Sequence, residues 1–395
     1  MKNYPLWKIF VVFILLSLGI IFAIPSLLYK EDTGSWYLDN RLNLGLDLQG
    51  GSYLLLEVQT DVLIKEEFEN FSDTVRIISR ENRVKINNID KQNDVLKVRF
   101  DSSEKLNTIR EEFLKNYRSV TFSITNNIAS ISIDDIYKKS IQDGAIKQSL
   151  EIVRKRIDES GTKEPLIQRS GRDRILLQLP GVKDPERIKD LLGKTAKLNF
   201  HMVDDDDTKS LSLNIAPFGR MIVSDISNEE IKYLLEKKSR VGGENLIDAY
   251  ASFDPTEGHA VSFRFDTTGA QKFGKATSEN IGKRFAVVLD GVVITAPVIN
   301  SAITGGSGII TGNFTSQEAT DLAVLLRAGA LPAPLEIVEE RSVGPGLGAD
   351  SIAAGKIASI IGMILVCIFM VLIYGSFGLI ANISLIANLF IIIAL

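Results

Sequence analysis

Twenty-one residues from Ile9 to Tyr29 carry no charge, and near the other end thirty-nine more, Ile357 to Leu395, carry none. At about 1.5 Å per helical residue, some twenty apolar residues cross the hydrocarbon core of a bilayer. The longer run suits two spans, broken at "YGSFG", where Gly375 and Gly378 permit a tight turn. The pattern predicts transmembrane helices at 9–29, 351–374 and 377–395. A cleaved signal peptide is the other reading of the first run. It is long for one, and "FAIPS" places Ile24 and Pro25 where small residues are needed, so a retained anchor is expected. Lys2 and Lys8 precede it, which sets residues 1–8 in the cytoplasm and the stretch from 31 to about 350 outside. The chain stops inside an apolar run, "IIIAL", as an incomplete chain would.

Between the apolar runs the periodicity alternates between 3.6 and 2. "DVLIKEEFENFSDTVRIISREN" puts Ile64, Phe68, Phe71, Val75 and Ile78 on one helical face. The strands "VKINNI" and "VLKVRF", the helix "SEKLNTIREEFLKNY" and the strand "SVTFSIT" follow. A second series opens with a helix carrying Ile146, Leu150, Val153 and Ile157 and ending at Gly161. "PLIQRS", "RILLQL", the helix "DPERIKDLLGK" with Asp184 as N-cap and Pro185 at its first position, and "AKLNFHMV" complete it. Both series read helix, strand, strand, helix, strand. Preceded by a strand such as "SYLLLEV", that is the split β-α-β order of ferredoxin-like α+β folds.

The expected fold class is therefore an α-helical transmembrane protein with a large exported α+β domain. Ferredoxin-like base modules occupy 30–202 and an inserted head 203–313. In the head, Asp290-Gly291 between apolar runs signals a hairpin. A helix with Thr315 and Glu318 at capping-box spacing and the strand "LEIVEERSV" then return the chain to the membrane across 314–350.

Composition narrows the function. All 49 acidic residues lie between 31 and 350 with 41 of the 45 basic ones, a net charge of 41 − 49 = −8, which argues against nucleic acid as a partner. The single cysteine, Cys367, falls in a predicted span, so the outer region cannot form a disulfide. There are two histidines: His201 on the polar phase of its strand, and His259 in phase with Val261, Phe263 and Phe265. Neither has converging partners for catalysis, and no catalytic, metal or cofactor site is expected. Asp204–Asp207 lacks the spacing and glycine of a calcium loop and reads as a solvated acidic loop. "GGSGIITG", Gly305–Gly312, is neither a dinucleotide nor a Walker motif and reads as a turn between strands. The predicted spans contain no carboxylate; Asn382 and Asn388 are candidates for helix packing.

The stretches "LNLGLDLQGGSYLLLEV", "RAGALPAPLEIVEERSVGPGLGADSI" and "YGSFGLIANISLIANL" resemble those of the SecD family of bacterial protein-export membrane proteins, a class related to the proton-driven RND transporters. The resemblance implies a partnership with SecF beside the SecY channel complex and the SecA motor. It implies capture of unfolded preprotein outside the inner membrane, coupled to proton flow. Gly45, Asp47, Gly50 and Gly51 match the family signature, where glycines allow the chain to turn and Asp47 can accept backbone hydrogen bonds. The family's proton-linked aspartate is expected beyond Leu395. Gly344, Pro345, Gly346 and Gly348 form a candidate hinge before the second span. The helix "TTGAQKFGKATSENIGKR" and the Asp290 hairpin are candidate polypeptide contacts. An RND-type exporter of lipids or small molecules is the alternative function and should show a large apolar pocket. An anchored binding module without a motor is a third.

Overall fold

The computed structural model describes residues 6–27, 50–92, 94–162, 165–182, 184–217, 219–343 and 345–394. Two compact units divide the chain. One takes Met1–Ser52, Leu179–Lys183 and Ser342–Leu395; the other takes Tyr53–Gln178 and Asp184–Arg341.

Helix α1 (Leu6–Leu27) is followed, within the described residues, by strand β1 (Gly51–Val58). Then come α2 (Thr60–Glu81), β2 (Ile86–Gln92), β3 (Val95–Phe100), α3 (Leu106–Asn116), β4 (Val120–Thr125) and β5 (Ile128–Ile133). The chain continues through α4 (Asp135–Glu159), β6 (Leu166–Ser170), β7 (Arg174–Pro180) and α5 (Pro185–Gly193).

Strands β2 to β5 form one antiparallel sheet in the order β2-β3-β5-β4. The expected strand "SYLLLEV" is not in it. Its place is filled by β5, "IASISI", so the module has the split β-α-β arrangement with its first strand moved to the end. Ile64, Phe68, Phe71, Val75 and Ile78 of α2 are buried as the periodicity predicts. They pack with Ile109 and Phe113 of α3 against Val98 and Ile131 of the sheet. Phe71 meets Phe68 and Phe113 edge-on at 5.7 and 5.6 Å.

"SYLLLEV" is β1 of a second sheet whose order is β17-β1-β7-β6, where β17 (Leu335–Val343) comes late in the chain. Val58 N donates to Asp173 O, and Gln59 N to Pro334 O, so β1 runs antiparallel to both neighbours. This too is ferredoxin-like, but its first loop carries the α2–β5 module and its last connection carries the head. The strand expected to complete it, 198–202, belongs to the head instead.

The head comprises β8 (Leu198–Met202), α6 (Thr208–Ser212), β9 (Arg220–Ser224), β10 (Lys232–Glu236), β11 (Val241–Gly242), β12 (Leu246–Asp254), β13 (Gly258–Phe265), α7 (Thr267–Glu279), β14 (Phe285–Leu289), β15 (Val292–Thr295) and β16 (Ser307–Phe314). Two sheets, β11-β8-β14-β15 and β12-β13-β16, and the hairpin β9–β10 make up its strands. Phe200 of β8 lies 5.5 to 5.8 Å from the rings of Phe263, Phe265, Phe273 and Phe285, which joins both sheets to α7 in one aromatic core. "GGSGIITG" is mostly strand rather than turn: only Gly305 and Gly306 precede β16. Gly308 is needed there because a Cβ would lie 2.5 Å from the Phe263 ring.

Helix α8 (Ser316–Ala328) carries the expected capping box, with Glu318 N donating to Thr315 Oγ1 and Thr315 N to Glu318 Oε2. In the other unit, α9 (Pro345–Tyr374) and α10 (Ser376–Ala394) form an apolar helical pair. Gly375 at φ +57° makes the turn, and a Cβ on Gly378 would lie 2.1 Å from Met370 O, so the tight connection requires both glycines. Among the described residues, one helix, Ala353–Tyr374, is long and apolar enough to cross a membrane by itself. Phe13–Ile24 and Ser376–Ile392 are shorter apolar stretches, so the first and third expected spans meet helices of lesser apolar length. α1 packs on α10 at Gly19, where a Cβ would be 3.1 Å from Ile391.

Candidate functional site

The signature stretch is reached at its second half. Gly50 and Gly51 have φ of +72° and +138°, which is why glycines stand there, and Gly50 O accepts a 2.9 Å hydrogen bond from Gly181 N. Gly45 and Asp47 lie outside the described residues, as does Gly344. Pro345 opens α9, with Gly346 and Gly348 in its first turns, so the helix starts six residues before the expected span. Proline suits a first helical position because its missing N–H has no partner to lose. Asn382 donates to Cys367 O at 2.9 Å, joining α10 to α9, whereas Asn388 is exposed on α10.

Both histidines serve the fold. His201 is buried rather than on a polar phase, because both faces of β8 are covered; its Nδ1 lies 2.8 Å from Glu236 O. Burial holds its pKa below the ordinary range, with the Glu236 carbonyl opposing that shift. Above about pH 6.5 the imidazole is neutral folded and unfolded; below it the unfolded chain binds the proton first, so stability is lost as pH falls. The melting temperature should drop between about pH 7 and pH 5, and His201→Asn, which keeps an amide donor, should flatten that part of the profile. An unchanged slope would remove His201 as its source. His259 is half-buried, edge-on to Phe253 at 5.5 Å.

The acidic run is divided among separate partners. Asp204 pairs with Arg220 at 2.8 Å, Asp205 with Arg284, and Asp207 caps α6 through Ser210 N at 3.1 Å. The Arg284 hydrogen bond holds the Asp205 carboxyl below its usual range. Of the candidate polypeptide contacts, α7 is committed to the core through Phe273, Ala276 and Thr277, although Ile281 beyond it is exposed. The Asp290 hairpin is present, with φ of +50° and +84° at Asp290 and Gly291. Its carboxylate accepts from Thr195 Oγ1, Ala196 N and Lys197 N, the backbone bonds being 2.9 and 2.8 Å.

The head leaves exposed apolar side chains elsewhere. Tyr250 and Ile309 flank Ser262 across three strands. Leu213, Ile215, Ile226 and Ile231 are also exposed; Lys232 Nζ donates to Asn214 Oδ1 at 2.9 Å and Asp225 N to Ile231 O at 2.9 Å. A cleft of about 850 Å³ between α4 and the β6–β7 turn is lined by charged groups, among them Lys138, Lys139, Asp143, Arg169 and Arg172, unlike an apolar exporter pocket.

Where the head joins the base, Arg156 of α4 is fully buried. Its guanidinium donates to the carbonyls of Leu191 and Lys194 at 2.7 and 2.6 Å, and of Thr195 and Gly329 at 3.2 Å each. These acceptors cluster at the C-termini of α5 and α8, whose dipoles present negative charge. Burial lowers its pKa to about 10, opposed by nearby Asp290, and it remains charged at neutral pH. The sequence reading passed over this residue, although Arg156 sits three and four places from buried Val153 and Ile152 on the α4 stripe.

Two ferredoxin-like sheets and an aromatic-cored head, with apolar helices on either side of them in sequence, place the chain in the α+β class. Three family models match: "SecD/SecF GG Motif" over residues 39–62, "Protein translocase subunit SecDF, P1 domain, N-terminal" over 146–205, and "SecDF, P1 head subdomain" over 220–333. The chain is 43% identical over 398 residues to "Protein translocase subunit SecD" of Rickettsia conorii, covering 100% of this chain and 76% of the relative. It is 38% identical over 408 residues to the SecD of Magnetococcus marinus, covering 100% and 77%. A solved structure described as "Crystal structure of SecDF in Super-membrane-facing form" matches at 25% identity and a TM-score of 0.49, over 98% of this chain and 42% of that one. The chain belongs to the SecD family and has a Sec-translocase accessory role.

Proposed function

We propose that this protein completes protein export from the outer side of the bacterial cytoplasmic membrane. The apolar helices α1, α9 and α10 anchor it as three spans with the N-terminus inside, and the α+β unit stands outside to receive unfolded preprotein leaving the SecY channel. SecA supplies the early push; SecF and the proton-motive force drive the later stage. In this reading Gly45, Asp47, Gly50 and Gly51 couple the membrane connection to the sheet, and Gly344, Pro345, Gly346 and Gly348 give way as the outer region moves. The exposed groups Tyr250, Ile309, Leu213 and Ile231 offer sequence-tolerant apolar contacts to an extended chain.

The observation that carries this reading is the 43% identity to a SecD over the whole of this chain and 76% of that relative, together with the GG motif at 39–62. Pulse-chase labelling of a secreted reporter after depletion tests it. Precursor should accumulate, and the full reading frame supplied in trans should clear it. Normal export with failed efflux of a lipid or small molecule would give the role to an RND-type exporter instead.

A further inference from the structure

With α8 counted to the head, on whose strands β12 and β13 it packs, two connections tie the head to the base: residues 194–197 leaving α5 and residues 329–331 leaving α8. They touch directly, Leu331 N donating to Thr195 O at 2.8 Å. Arg156 lies beneath both, with three of its four carbonyl acceptors on the first connection or the α5 turn before it and the fourth, Gly329, on the second.

We propose that Arg156 is a clasp that fixes the orientation of the head on the base, a positioning residue for the translocation cycle.

Four observations carry this. No carboxylate forms an ion pair with Arg156 among the described residues, and its Nε has no partner, so four neutral carbonyls make every hydrogen bond to the charge and Asp290 acts on it only through space. An apolar side chain of similar volume would fill the space without a buried charge, so filling does not account for an arginine. The planar fork supplies four hydrogen bonds to carbonyls on both connections and the α5 turn, one more than the three donors of a lysine ammonium allow. Finally, the first connection holds a non-glycine residue in left-handed backbone, Ala196 at φ +60°, a geometry that needs fixing from outside the segment. The head has its own aromatic core and the α2–β5 module its own hydrophobic one, so loosening the clasp leaves each folded.

The test is a distance distribution by pulsed EPR on the full chain in nanodiscs, with Cys367→Ala and spin labels at the exposed sites Lys147→Cys on α4 and Lys238→Cys in the head. The parent should give one narrow distribution. Arg156→Met should broaden or shift it, and Arg156→Lys should fall between. Hydrogen exchange in β1, β13 and β14 should stay as in the parent. A narrow, unshifted distribution in Arg156→Met overturns the proposal. So does accelerated exchange throughout the base in both variants, which would make Arg156 a support of the fold alone. Neither readout requires export, so the clasp succeeds or fails separately from the functional reading.

Discussion

Phe200→Ala should destabilise the head by about 3–5 kcal/mol, the usual cost of removing a buried aromatic ring from a core that cannot collapse around the gap. Phe200 is 1% exposed and touches four other phenylalanines drawn from β13, α7 and β14, so no neighbouring chain segment is free to move into the space. Denaturant unfolding followed by hydrogen exchange resolves the effect by region. Protection should be lost in β8, β13 and β14 and kept in β3 and β5, which pack on the separate core around Phe71. Equal loss in both regions would mean that head and first module unfold as one, against the independence of their cores.

The second large effect is expected from Asp290→Ala, at about 3 kcal/mol, since hydrogen bonds to a charged acceptor contribute about 1.5–3 kcal/mol each and do not add fully. Asp290 stands in the hairpin turn, yet its carboxylate fixes residues 195–197 across the head–base connection. Asp290→Asn retains one acceptor oxygen and tolerates the left-handed turn, so it should cost less, about 1–2 kcal/mol. Amide exchange at Ala196 and Lys197 reads the contact directly. Alanine and asparagine variants of equal stability, with both amides still protected, would show the carboxylate to be incidental.

Local structure was legible wherever one stretch of chain carries its own instructions. The α2 stripe, the Asp184–Pro185 cap, the Thr315–Glu318 box and the Asp290-Gly291 turn each depend on residues within a few positions, and each stands where its pattern puts it. Pairing over long distance was not legible. "SYLLLEV" alternates equally well for any sheet, and nothing in it specifies β17 as a neighbour rather than β3. "AKLNFHMV" shows the same limit: it reads as the last strand of a base module but pairs with β14 of the head, and that pairing buries His201. The signal for Arg156 was present as a cation on an apolar helical stripe, but only tertiary structure brings the carbonyls that receive it. Gly50 and Gly51 have the positive φ that glycine admits, and the rest of the signature lies outside the described residues.

The base sheet has a consequence for the order of events during synthesis. Its neighbours β1 and β17 lie far apart in the chain; Gln59, just after β1, bonds Glu336, 277 positions further on. At roughly 5–20 residues per second, a ribosome makes β1 between about a quarter of a minute and a minute before its partner exists. Both inserted units, whose contacts are more local, have time to fold first, leaving β1 with one edge unpaired. The base is therefore the last part of this region to close, and a nascent chain interrupted before residue 335 holds finished ornaments on an unfinished frame.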